Sequence, residues 1–202
     1  TGPGASSALR FTIASSLLVC AVNAVMGTLV AFVLVRDTFP GKRLVELIID
    51  VPFALPTIVA GLVMNTLYGT ESPVGVVLYG QRAGVVVALM FVTLPFVVRT
   101  VQPVLMAMER DVEEAAMSLG ATRWRVYATV TLPLALPGIL TGALLSFARS
   151  LGEFGATITF VSNIPGETRT LPLAIYTLTQ VPGGDAAALR LSVIAILLSV
   201  MA

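Results

Sequence analysis

Two groups of residues carry side chains that could do chemistry. The first lies in Ser146-Phe-Ala-Arg149-Ser150-Leu-Gly-Glu153, a guanidinium and a carboxylate inside an otherwise apolar run. Residues four apart share a helix face. A charge within a membrane span costs roughly 2.5–3.5 kcal/mol on insertion scales unless it is paired or wetted. Arg149 and Glu153 are therefore expected to face a bundle interior, with the hydroxyls of Ser146 and Ser150 close by. Two readings stay open: a pair that glues helices, or a gate lining a path for an anion. On the second, Glu153 cancels much of the charge of Arg149, so an anion would be held weakly and released readily. The other group is the polar stretch around Asp111, Glu113 and Glu114, which precedes Gly120, with Arg123 and Arg125 after it. Its chemistry is not catalytic. The chain has no histidine, no nucleophile elbow and no G-x4-G-K-[ST] phosphate cradle, so it is read as non-enzymatic and without cofactor. The single cysteine, Cys20, lies in an apolar run, which excludes a disulfide framework and argues against a Cys/His metal site.

The elements that position these groups follow from composition. Of 202 residues, 56% are hydrophobic and 11% charged, with mean hydropathy +0.95. A soluble domain carries roughly a quarter charged residues, so the chain is expected to be an all-α, polytopic transmembrane bundle forming one domain over 1–202. Charge-free runs cover 11–35, 51–70, 83–98, 126–148 and 191–202. About 20 helical residues cross a hydrocarbon core. That predicts four full spans and an incomplete fifth, helical because lipid offers the backbone no partners. Both ends read as cut from a longer protein. Lys and Arg set the orientation. Arg36, Lys42, Arg43, Arg99, Arg110, Arg123 and Arg125 fall on one side, and Arg10, Arg82, Arg169 and Arg190 on the other. Residues 36–50 and 99–125 are thus expected in the cytoplasm, and 71–82 and about 161–190 outside. Pro52-Phe-Ala-Leu-Pro56 with Gly61 is echoed by Pro133-Leu-Ala-Leu-Pro137 with Gly142. These are either two ordinary helix starts or paired bent helices of the kind that line transport paths.

The polar stretch reads as helix, turn, helix. Val112, Ala115, Ala116 and Leu119 form an apolar stripe at helical spacing. The carboxylates occupy its first turns, where the helix dipole favours them. Gly120 follows as a left-handed terminator, and Thr122 can cap the next helix. An amphipathic hairpin lying on the lipid would suit Arg123 and Trp124 but not three carboxylates beside an anionic leaflet. The small residues Ala115, Ala116, Ser118 and Gly120 suit the close approach of another protein.

Glu114-Ala115-Ala116-x3-Gly120-x9-Val130-x-Leu132-Pro133 resembles the EAA loop of binding-protein-dependent ABC importer permeases, with Val130 where Ile is usual. The segments 36–42, 52–61 and 95–103 resemble the sulfate branch. Residues 150–157 fit both the sulfate and molybdate branches, and 163–172 through 180–184 are closer to the molybdate branch. The resemblance implies a permease of about six helices, of which about five are present, with a cytoplasmic coupling loop over about 103–132. It implies import of a tetrahedral oxyanion across the inner membrane, powered by separate cytoplasmic ATPase subunits. A second permease subunit would complete the pore, identical in the molybdate branch and different in the sulfate branch. An extracytoplasmic oxyanion-binding protein would deliver the ion, and nucleic acid plays no part. By carry-over, Glu114, Ala115, Ala116, Gly120, Arg123, Leu132 and Pro133 belong to the ATPase-coupling loop, while Ser146, Arg149, Ser150 and Glu153 are candidates for the translocation path. The alternative is a stand-alone channel or ion-coupled carrier.

Overall fold

The computed structural model describes residues 3–201, and all secondary structure within them is helical. Three helices are long and apolar enough to cross a bilayer. The first is α1 (Pro3–Arg36). After α2 (Lys42–Ala54) and α3 (Thr57–Tyr68) comes the second, α4 (Arg82–Ala107). The short α5 (Arg110–Ser118) leads to the third. In it, α6 (Arg123–Val126) passes through a π-helical turn, Tyr127–Thr131, into α7 (Leu132–Leu151), giving one 29-residue span. Then follow α8 (Gly155–Phe160), α9 (Leu171–Thr179) and α10 (Asp185–Met201).

α1, α4 and α7 form the central bundle. Near one end they bury Ala31, Leu34, Val97, Val101, Ala135 and Ile139 together. Lipid tails are as apolar as these side chains, so close packing rather than the hydrophobic effect must hold the helices. At Gly142 a Cβ would sit 2.7 Å from the Val97 Cα, so the two backbones nearly touch. Midway along the spans the helices share a buried polar knot. Asn23 donates to Thr93 Oγ1 at 2.9 Å and reaches Ser146 Oγ at 3.5 Å, and Ser146 donates to Thr93 Oγ1 at 3.0 Å.

The charge-free run 51–70 is not a straight span. α2 and α3 meet at a bend of 119°. At the bend Leu55 stands at φ −92° and ψ 135°, the extended region that a following proline favours, and Pro56 offers no N–H of its own. α2 then lies against α4, with Phe53 edge-on to Phe96 at 5.0 Å, while α3 packs on α8. The predicted echo holds on one side only: Pro133 and Pro137 sit inside the continuous α7. The four full spans thus resolve as three continuous helices and one bent pair, and the last charge-free run falls in the 17-residue α10.

The two ends of the bundle carry the charges assigned to them. Arg36, α2 and α5 gather at one end. At the other, Arg82 pairs with Glu167 at 3.2 Å, donates to the Gly166 carbonyl and lies over the Phe11 ring.

Candidate functional site: the interhelical loop and the charged end of the third span

α5 forms the body of the loop. Of residues 103–132, the first five complete α4 and those from Arg123 onward start the third span. Gly120 has φ +87°, donating to the Met117 carbonyl at 2.9 Å while Ala121 donates to that of Ala116 at 3.1 Å. This two-bond closure is the Schellman ending, and it needs a residue at ease in the left-handed region. Thr122 accepts from the Arg125 N–H at 3.4 Å and so caps α6, as its position suggested.

One side chain ties α5 to the bundle. Glu113 Oε1 accepts from Arg36 Nη2 at 2.8 Å and from the Thr131 hydroxyl at 2.9 Å. Its carboxylate therefore links the end of α1, the loop helix and the turn that opens α7. The sequence placed Glu113 only as a dipole partner, because nothing local marks a contact 77 residues away.

The opposite face of α5 is open. Leu119 is 90% exposed and Trp124 78%, and Val112, Glu114, Ala115, Gly120 and Arg123 are exposed as well. The apolar stripe expected on this helix is thus turned away from the bundle; of its members only Ala116 is half-buried. Leu132, half-buried, and Pro133, exposed, stand at the head of α7. A cleft of about 460 Å³ opens between α5 and the ends of α1 and α7, with Phe32, Arg36, Glu114 and Trp124 in its walls.

At the far end of the third span, Arg149 Nη2 lies 2.7 Å from Glu153 Oε2. The approach is a charge contact without hydrogen-bond alignment. The two residues do not share a helix: Gly152 ends α7, and Glu153 stands in the break before α8. There its buried carboxylate accepts the Ala156 N–H at 2.8 Å and caps the next helix. Arg149 remains one-third exposed. Ser150, buried, donates to the Ser146 carbonyl, and Ser146 belongs to the polar knot, so neither hydroxyl faces open space. Of the four path candidates, Arg149 is the one whose donors reach the surface.

Residues 11–202 match the family described as binding-protein-dependent transport system inner membrane component. The chain belongs to that family. The permease is 48% identical over 183 residues to the Molybdenum transport system permease protein ModB of Escherichia coli (strain K12), covering 87% of this chain and 80% of that one. It is 45% identical over 183 residues to the Sulfate transport system permease protein CysT of Synechocystis sp., covering 87% of this chain and 64% of the relative. In fold, the permease is similar to a chain of the MetNI methionine ABC transporter in an inward-facing conformation, with TM-score 0.73, 21% identity, and coverage of 100% of this chain and 94% of that chain. It is likewise similar to a chain of a bacterial ABC transporter that imports the acidic polysaccharide alginate, with TM-score 0.74, 18% identity, and coverage of 100% and 78%.

Proposed function

We propose that this permease is the pore-forming subunit of an ATP-driven importer of a tetrahedral oxyanion, molybdate or sulfate. The observation that carries the reading is the 48% identity to a molybdenum transport permease across most of the chain. Its membrane is the cytoplasmic membrane. Its partners are cytoplasmic ATPase subunits, a second permease subunit and an extracytoplasmic oxyanion-binding protein. The exposed face of α5 and the turn after it, with Glu114, Ala115, Gly120 and Arg123 exposed and Ala116 half-buried beside them, is the ATPase contact in this reading. The chain performs no hydrolysis and transmits it. Glu113 supports that role, because its ties to Arg36 and Thr131 would carry a displacement of α5 into α1 and α7 together.

The test is reconstitution with its ATPase and binding protein, followed by ATP-dependent uptake of radiolabelled molybdate and sulfate into proteoliposomes. One of the two ions should accumulate only when ATP and the binding protein are both present. Uptake that proceeds without the ATPase would favour a stand-alone carrier and overturn the proposal.

A further inference from the structure

A second arginine of the bundle meets a carboxylate in a way that differs from an ordinary helix tie. Arg99, on α4, presents its Nε to Asp50 Oδ1 at 2.8 Å and its Nη2 to Asp50 Oδ2, a two-point fork on a carboxylate of α2. Its Nη1 donates to Gln102 Oε1 at 2.8 Å. The pair is not sealed in the core: 36% of the Arg99 side chain and 44% of that of Asp50 are exposed. The planar guanidinium fork that grips a carboxylate also fits two oxygens of a tetrahedral oxyanion.

Position adds to this. α4 and α7 run antiparallel, with Ser146 level with Thr93 and Gly142 level with Val97. Arg149 is therefore level with about residue 90, and Arg99 lies roughly 14 Å further along the axis at 1.5 Å per residue, toward the end that carries α5. The bent pair meets the partners of both arginines rather than both arginines themselves. α2 carries Asp50, and the start of α3 lies so close to α8 that a Cβ on Gly155 would sit 2.9 Å from the Ile58 nitrogen, two residues beyond Glu153. Each arginine thus has its own carboxylate, Asp50 on α2 and Glu153 just before the helix on which α3 packs.

We infer that the Arg99 guanidinium is a second station for the transported oxyanion, masked in this conformation by Asp50. The inference rests on the oxyanion reading above. A swing of α2 away from α4 withdraws Asp50 and frees the fork for the ion arriving from Arg149. The return of Asp50 then displaces the ion toward the α5 end. Two weak stations, each cancelled by a carboxylate, suit release better than one strong site.

The experiment uses the permease purified with its ATPase, without binding protein. Binding of radiolabelled molybdate and sulfate is measured by equilibrium dialysis. Asp50→Asn should bind the transported ion about tenfold more tightly than the unaltered complex, and adding Arg99→Gln should abolish that gain. Equal binding by Asp50→Asn and the unaltered complex, with only a lowered melting temperature, would make the pair a simple clamp. Should Asp50→Asn fail to assemble, Arg99→Lys keeps the ion pair but not the fork. It should lower the number of ions moved per ATP about tenfold while ATP turnover persists, and an unchanged ratio overturns the inference. The transport measurements, including uptake by the unaltered complex alongside, are made in proteoliposomes with the binding protein added. If that complex moves neither ion, the functional reading fails on its own evidence, whereas normal uptake with unmoved variants condemns the second station alone.

Discussion

Gly120 and Glu113 lie seven residues apart and illustrate what a sequence can disclose. Gly120 was legible because its signal is local: an apolar stripe stops, and a residue without a Cβ follows. The positive φ of 87° bears this out, and a Cβ placed there would meet nothing within 4 Å. Gly120→Val therefore costs backbone strain alone, on the order of 1–2 kcal/mol. The expected result is a permease that inserts and folds but whose α5 ends differently and no longer presents its outer face. Uptake should be lost while the amount of membrane-inserted protein, read by immunoblot, stays near normal. Glu113 was not legible, since its partners Arg36 and Thr131 come from distant parts of the chain. Glu113→Gln leaves the Arg36 guanidinium, only 12% exposed, without its charge partner. Hydrogen bonds to charged groups contribute roughly 1.5–3 kcal/mol, so the purified permease should melt measurably lower. Uptake should fall further than insertion, because the link from α5 to two spans is cut.

The bent pair and α7 pose a sharper question, because the same Pro-x-Ala-Leu-Pro pattern breaks one helix and leaves the other continuous. Local propensity cannot separate them. What differs is the surface each second half meets. α7 lies along α4 through Gly138 and Gly142, and that seam continues past both prolines. α3 has no such seam with α4; it docks on α8, where a Cβ on Gly61 would lie 2.6 Å from the Ala156 carbonyl and Thr159 donates to the Ile58 carbonyl at 3.2 Å. Packing thus decides where proline's permission to bend is used. It follows that Pro56→Ala should leave the bend largely in place, since the α3–α8 contact survives. Gly61→Val should dislodge α3, with an overpacking cost of about 1–3 kcal/mol. Spin labels on α2 and α3, read by their separation, distinguish the two: a marked change in Pro56→Ala with none in Gly61→Val would put the cause of the bend in the proline alone.

The permease as a body is a polarised object, and that polarity was readable from charge-free runs and the placement of Lys and Arg. The polar knot of Asn23, Thr93 and Ser146 was not, because each residue looks unremarkable in its own run and only the assembled bundle brings them within bonding distance. Such bonds average about 0.6 kcal/mol in membranes, so they set the register of the spans more than they stabilise them. The ends do the orienting. Seven basic residues were assigned to the side of α5 and four to the side of the loop that holds Glu167, which predicts the α5 end in the cytoplasm. Cys20 makes this testable with little disturbance. It is the one cysteine in the chain, and its thiol donates to the Ala143 carbonyl at 3.3 Å, a bond that a serine hydroxyl can also make. In a Cys20→Ser background, Leu119→Cys and Ile164→Cys place single thiols at exposed positions on opposite ends. A membrane-impermeant maleimide should label Leu119→Cys only in inverted vesicles and Ile164→Cys only in intact spheroplasts. Labelling of both from one side would break the two-ended arrangement. A clean reversal would place α5 outside the cell, where no ATPase could drive it.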